Sequence, residues 1–154
     1  MITTLDIIRG LPEHASKLTE ITLAAKRYWG YPEKWIQLWT PELTFSPEYA
    51  LENEVWLAVV DEKLAAYYSL KQNDEGLWLE NLWVLPEHMG QGLGKRLFLH
   101  ALERGRENGV SFLKIEADPN AQSFYERMGA KKVSEHQYEL DGQLRVLPIM
   151  EINL

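Results

Sequence analysis

Glu80-Asn81-Leu82-Trp83-Val84-Leu85-Pro86-Glu87-His88-Met89-Gly90-Gln91-Gly92-Leu93-Gly94-Lys95 carries an apolar strand through a proline turn into a glycine-rich loop that opens an amphipathic helix. Amide groups at a helix N-terminus carry partial positive charge and lack internal partners, so glycines there let a phosphorylated ligand approach the main chain. The helix is read from its spacing. Leu93, Leu97, Phe98, Ala101, Leu102 and Gly105 share one face, while Lys95, Arg96, His100, Glu103 and Glu107 share the other.

Spacing also decides between kinds of phosphate loop. A P-loop places four residues between its first glycine and the Gly-Lys pair, followed by Ser or Thr; Gly90 and Gly94 enclose three, and Arg96 follows Lys95. A dinucleotide fingerprint needs a glycine three positions after Gly92, where Lys95 stands, and the unit does not open a repeated βαβ pattern.

Outward from this unit, Leu5–Arg9 reads as a short strand, and Pro12-Glu13 starts a helix carrying Leu18, Ile21, Leu23, Ala24 and Ala25. Gly30 breaks the chain. Pro32, at a first helical position, begins a second helix with Trp35, Ile36, Leu38 and Trp39 that Pro41 closes. Val55–Val60 and Leu64–Leu70 flank a hairpin at Asp61-Glu62-Lys63. Leu77–Leu85 is almost continuously apolar, as a central strand covered on both faces would be. After the loop helix come a strand at Phe112–Ala117, a short helix near Ala121–Met128, and strands at Val133–Leu140 and Leu144–Ile152 joined by the turn Asp141-Gly142.

The chain of 154 residues, 45% hydrophobic and 25% charged, is one ordinary domain over 1–154 that buries about two-thirds of its extended surface. No apolar run reaches the length of a membrane span, and Met1-Ile2-Thr3-Thr4-Leu5-Asp6 lacks the basic start of a signal peptide. The expected location is the cytoplasm, with no membrane partner. There is no cysteine, hence no disulfide and no thiolate nucleophile, and His14, His88, His100 and His136 show no metal-ligand spacing, so no metal is expected. A net charge of −7 argues against a nucleic-acid partner and favours cationic ligands. Lys95, Arg96, Arg104, Arg106, Arg127, Lys131 and Lys132 nevertheless follow the loop, and one or two of them, Arg127 among the candidates, can meet phosphates.

At this point the chain resembles the GNAT superfamily of acyl-CoA-dependent N-acetyltransferases. Its pyrophosphate loop, Arg/Gln-x-x-Gly-x-Gly/Ala after a strand ending Leu-x-Val-x-Pro, is matched by Leu82-Trp83-Val84-Leu85-Pro86 and Met89-Gly90-Gln91-Gly92-Leu93-Gly94, with Met89 in place of Arg or Gln. Downstream, Asp118-Pro119-Asn120-Ala121-Gln122-Ser123-Phe124-Tyr125-Glu126-Arg127-Met128-Gly129-Ala130 is similar to the family's Asn-x-x-Ala-x-x-Phe-Tyr-x-x-x-Gly-Phe segment. The resemblance covers roughly residues 77 to 135. It implies an α/β (α+β) three-layer fold: a mixed, mostly antiparallel sheet of six to seven strands, helices on both faces, and a central parallel pair formed by Leu77–Leu85 and Phe112–Ala117. It also implies acetyl-CoA as acyl donor, its diphosphate on Met89 to Lys95 and its pantetheine arm along the main chain at Leu82, Trp83 and Val84.

The chemistry that follows has an amine attacking a thioester, an oxyanion forming and a thiolate leaving. Alkyl ammonium groups titrate near about 10.4, so a base or a site for the neutral fraction is required. Glu80, isolated in an apolar strand, is the candidate base, a role that calls for burial; a structural ion pair or contact with a cationic acceptor explains it equally well. The resemblance assigns the Val84 amide to the oxyanion and the Tyr125 phenol to the leaving sulfur, against a core tyrosine. Asn120 caps the short helix or meets the pantetheine, and Phe124 packs in the core or lines the cofactor site. Trp29, Tyr31 and Trp35 are the candidate acceptor contacts, through cation–π attraction, against plain helical core packing. Glu33, Glu42, Glu48 and Glu52 lend that region negative charge, which favours a small cation such as a polyamine.

The expectation is a small-molecule N-acetyltransferase acting in a ternary complex. The alternatives are a coenzyme A-binding sensor or regulatory domain, which Met89 makes conceivable, and a protein lysine or N-terminal acetyltransferase, which needs a more open cleft. The terminal hairpin, at a sheet edge or exchanged with a second copy, leaves room for a homodimer.

Overall fold

A computed structural model describes residues 4–154; the leaderless start expected at Met1-Ile2-Thr3 lies outside them. The strands are β1 (Leu5–Arg9), β2 (Glu54–Val60), β3 (Lys63–Asn73), β4 (Gly76–Val84), β5 (Phe112–Glu116), β6 (Lys131–Leu140) and β7 (Gln143–Asn153). They form one sheet in the order β1-β2-β3-β4-β5-β7-β6, antiparallel throughout except for β4 beside β5. The helices are α1 (Ala15–Tyr28), α2 (Glu33–Leu43), α3 (Pro47–Glu52), α4 (Leu93–Glu107) and α5 (Gln122–Arg127). Among the described residues no helix is long and apolar enough to cross a membrane.

Two cores make the expected three layers. On one face α4 buries the six residues of its apolar stripe against Leu77, Leu79, Leu113, Ile115 and Met150. On the other, Ala15, Leu18 and Ile21 of α1, with Phe45 and Ala50, cover Val55, Leu57 and Tyr67. The hairpins at Asp61-Glu62 (φ 48° and 70°) and Asp141-Gly142 (φ 52° and 74°) have positive φ at both central residues, the turn whose twist matches paired strands. A third, two-residue turn between Asn73 and Gly76 joins β3 to β4, with the Asn73 Oδ1 accepting from the Glu75 amide at 2.8 Å.

Three local expectations are corrected. Pro32 is the cap of α2 rather than its first residue, and α2 runs through Pro41 to Leu43. A proline that near the end removes one hydrogen bond, which the helix tolerates. Six-residue α3, opened by Ser46 accepting from the Tyr49 amide at 3.1 Å and by Pro47, is an added element too short to show periodicity. Finally, β4 is fully buried only at Leu77 and Leu79. Its second half is part-exposed because β5 leaves it there.

Candidate active site: a fork between two parallel strands

The parallel pairing of β4 and β5 is three residues long, Leu77, Trp78 and Leu79 against Leu113, Lys114 and Ile115. At the same point β4 carries a bulge. Ser69 opposes Asn81 and Leu70 opposes Leu79, which leaves Glu80 without a partner on β3. The bulge is tied down from the α1 face: Tyr49 Oη lies 3.0 Å from Ser69 Oγ, Asn81 Nδ2 donates to Ser69 Oγ (2.9 Å), and Trp83 Nε1 donates to Asn81 Oδ1 (3.0 Å). Glu80 and Glu116 follow the last pair, Leu79 with Ile115, and stand at the crotch of the fork.

Beyond the crotch the register fixes where the main chain points. The Leu85 amide donates to the Ala65 carbonyl at 2.9 Å, so by alternation Trp83 and Leu85 face β3 while Leu82 and Val84 turn their polar groups away, toward the side β5 has vacated. The Trp83 amide expected to contact a pantetheine is therefore engaged with β3; its indole supplies the wall instead. A cleft of about 690 Å³ occupies the gap.

At one end of the cleft sits the glycine loop. Gly90 (φ 78°) and Gly92 (φ 82°) adopt left-handed backbone, and Gly92 caps α4, its carbonyl accepting from the Arg96 amide at 3.1 Å. Among the described residues, none bonds the amides from Gly90 to Lys95, which leaves a row of donors at the positive end of the α4 dipole. Met89, Gly90, Gly92, Leu93, Gly94 and Lys95 line the cleft; exposed Gln91 does not. Of the seven basic residues noted after the loop, Lys95 and Arg127 reach it. Arg104 is bound to Glu54 and Glu107, Arg106 to Glu103, and Lys132 to Glu135.

Glu80, Leu82, Trp83, Val84, Asn120, Phe124 and Tyr125 line the remaining wall. Glu80 is exposed, so the burial that its use as a base calls for is not met. Tyr125 is 6% exposed, packed on Phe98 and Phe124 with ring centroids 5.6 and 5.2 Å away. Burial, then the charge of Asp118, pushes its phenol well above the ordinary tyrosine value. Asn120 is not the cap expected. Asp118 caps the turn by accepting from the Asn120 amide at 2.8 Å, and Asn120 Nδ2 donates to Asp118 (3.0 Å) and to the Tyr31 hydroxyl (2.9 Å).

Exposed Trp29 lines the cleft beside Tyr28, whereas Tyr31 and Trp35 do not reach it. Their faces already hold cations of the protein. Lys26 Nζ stands 4.3 Å from the Trp39 ring centre, 5.0 Å from Tyr31 and 5.7 Å from Trp83, and pairs with Asp118 at 2.7 Å. Arg145 lies over Tyr31, Trp35 and Trp39 at 5.1, 5.3 and 5.5 Å. Burial raises Asp118, but Lys26, the Asn120 amide and Tyr31 outweigh it and hold the carboxyl below its usual range; burial lowers Lys26, which Asp118 partly offsets. Burial and the Asp118 charge push the Tyr31 hydroxyl up to about 12. The acidic residues expected nearby also fall elsewhere: Glu33 pairs with Arg27 at 3.0 Å, and Glu42, Glu48 and Glu52 do not line the cleft.

Sequence reasoning therefore missed Lys26, Asp118, Arg145 and Glu116. Two of them left a signal. Lys26 is a charge on the buried stripe that carries Leu18, Thr22 and Ala25, and Asp118 occupies the first position of the Asn-x-x-Ala-x-x-Phe-Tyr pattern.

A model of the acetyltransferase (GNAT) family matches residues 18–130. An uncharacterized N-acetyltransferase of Lactobacillus delbrueckii subsp. lactis is 37% identical over 92 residues, 53% of this chain and 53% of that protein. The thialysine N-epsilon-acetyltransferase of Bos taurus is 27% identical over 74 residues, 44% of each chain. The chain spans about half the length of the curated relatives it matches. Among solved structures, a GCN5-related N-acetyltransferase of Rhodopseudomonas palustris superposes with a TM-score of 0.86 at 19% identity, covering 100% of this chain and 98% of that one. The PaiA N-acetyltransferase of Thermoplasma acidophilum, in complex with coenzyme A, gives 0.79 at 23% identity over 99% and 100%. At such identities the likeness is one of fold.

Proposed function

Because the chain belongs to the acetyltransferase (GNAT) family, we propose that it moves an acetyl group from acetyl-CoA to the amine of a small-molecule acceptor, in one ternary complex without an acyl-enzyme. The observation that carries this reading is the fork: β4 keeps a free edge from Glu80 to Val84 that leads to a row of unpaired amides at the start of α4.

In this reading the amides from Gly90 to Lys95 bind the diphosphate, with Lys95 and Arg127 adding charge at the rim. Leu82 and Val84 bond the pantetheine arm as they would an added strand. The Val84 amide then faces the thioester oxygen, where an aimed donor contributes about 3 kcal/mol as charge develops. Tyr125 donates to the sulfur as the carbon–sulfur bond breaks. Its raised pKa, above the roughly 8.5 of a thiol, makes complete proton transfer uphill, so the phenol acts as a hydrogen-bond donor to the thiolate.

Glu80, exposed at the crotch, attracts and orients the acceptor's ammonium, and the neutral fraction of the bound amine attacks the thioester, so no buried base is called for. Glu80→Gln is expected to raise the acceptor KM about tenfold with a smaller change in kcat, and an unchanged KM removes the role.

A small acceptor is favoured by the way the β6–β7 hairpin is pinned over α2. Trp39 Nε1 donates to the Tyr138 hydroxyl (3.2 Å), Trp35 Nε1 to Asp141 (3.3 Å), and Lys34 pairs with Asp141 at 2.7 Å. A hairpin fixed this way, linked through Tyr31 to the Asp118 and Asn120 wall of the cleft, suits a small acceptor better than a folded protein. Incubation with acetyl-CoA and an amine panel, followed by free thiol release, tests the assignment. Acetylated proteins in a treated lysate with no small amine consumed would overturn the acceptor class.

A further inference from the structure

We propose that Arg145 determines acceptor specificity and that the acceptor carries a carboxylate beside the amine that reacts; this rests on the acetyltransferase reading above. A guanidinium has two kinds of surface to satisfy. Its flat faces accept aromatic rings, and its edge carries five N–H donors that need oxygen acceptors in the plane. Tyr31, Trp35 and Trp39 cover the faces of Arg145. The edge is left short. Its partners are the hydroxyls of Tyr31, 3.4 Å from Nη2, and Tyr138, and its Nε is the one buried side-chain nitrogen or oxygen among the described residues without a hydrogen bond. No carboxylate among the described residues pairs with it. Leftover donors on a fixed guanidinium are what a carboxylate satisfies, two at a time.

The neighbouring charges show why this cation, and not the other, serves a ligand. Lys26 is spent on Asp118, and Asp118 is in turn saturated by Lys26, Tyr31 and Asn120. Arg145 is one hydroxyl away from the cleft, because the Tyr31 oxygen it meets also accepts from Asn120, which lines the wall. At the crotch the sign reverses. Glu80 and Glu116 both line the cleft, and among the described residues Glu116 has His136 Nδ1, at 3.2 Å, as its side-chain partner. A ligand with an ammonium toward the crotch and a carboxylate toward Arg145 matches both ends. A polyamine matches one and repels the other.

The test compares amino acids with their decarboxylated amines, matched carbon for carbon, and with an amine bearing a phosphate monoester, on the wild-type protein. Calorimetry with coenzyme A runs in parallel. The expected result is a kcat/KM at least about a hundredfold higher for the carboxylate-bearing member, since a site built around donors rejects the analogue that leaves them unpaired. In Arg145→Gln and Arg145→Lys, checked by thermal melting to be folded, the ratio should collapse toward one. Equal use of both members, or preference for the phosphate, by a wild-type protein that binds coenzyme A and acetylates amines overturns this inference alone. No heat with coenzyme A and no turnover overturns the parent reading instead.

Discussion

Tyr125 and Asp118 show how burial sets what a side chain can do in this site. The Tyr125 phenol, pushed up by burial and by the Asp118 charge, stays protonated through the neutral range and can donate there. Tyr125→Phe should therefore lower kcat by about tenfold to a hundredfold and leave the coenzyme A dissociation constant within about twofold. Stopped-flow turnover and calorimetry read the two, and unchanged kcat removes the donor role. Asp118 works in the opposite sense. Its carboxyl is held below the usual range, so the folded state binds that proton less readily than the unfolded chain does. The resulting stability is present above the unfolded value of about 3.9 and is lost as pH falls through the lower folded value. With the two side chains 11% and 8% exposed, Asp118→Asn strands a buried ammonium and should destabilise by about 3–5 kcal/mol. Lys26→Met combined with Asp118→Asn should recover most of that loss in a urea titration, and a double variant no more stable than the single one would show the pair is not the cause.

At the scale of the element, the loop that opens α4 depends on backbone shape more than on space. Gly92 has φ 82° and open space around a Cβ, whereas Gly94 has ordinary φ and a Cβ there would make plain contact with the Phe124 ring at 3.7 Å. Gly92→Ala should lose about 1–2 kcal/mol of stability through left-handed strain, together with coenzyme A affinity; Gly94→Ala should change stability by less than about 0.5 kcal/mol. Melting curves of the two variants, with and without coenzyme A, separate strain from obstruction, and equal losses would contradict the argument. The elements themselves were legible where pattern repeats. The α4 stripe named from spacing is the set of residues that is buried; the hairpin expected at Asp61-Glu62-Lys63 formed with Lys63 already in β3, and the turn expected at Asp141-Gly142 formed as read. What stayed illegible was too short to repeat a pattern: α3, the continuation of α2 past Pro41, and the bulge at Glu80, which depends on how β3 pairs and not on any residue of β4 alone.

For the whole molecule, the one parallel pair among the described residues is both the sheet's shortest pairing and the seat of the proposed site. Because β4 and β5 separate after three residues, the polar edges of Leu82 and Val84 have no strand partner, and past that point the two halves of the sheet are held together by the α4-side core packed across both strands. Local motifs announced the two ends of this seam, the glycine loop and the Phe124-Tyr125 segment, since each is continuous in sequence. The acceptor side is different. Lys26, Asp118 and Arg145 come from α1, the loop after β5 and β7, and no local spacing relates positions 26, 118 and 145 until the sheet has closed. A ligand that fills the seam should act as a missing strand and tie the two halves together. With coenzyme A at about a hundredfold above its dissociation constant, mass action adds roughly 2.7 kcal/mol to the folded state. For a domain of this size that corresponds to a rise in Tm of about 5–10 °C, growing with the logarithm of ligand concentration. Pantetheine, which lacks the diphosphate, should reproduce only a small part of the shift. Were pantetheine and coenzyme A to stabilise equally, the amides between Gly90 and Lys95 would not be the diphosphate site. Were neither to shift the melt, the fork would be a structural gap and not a binding seam.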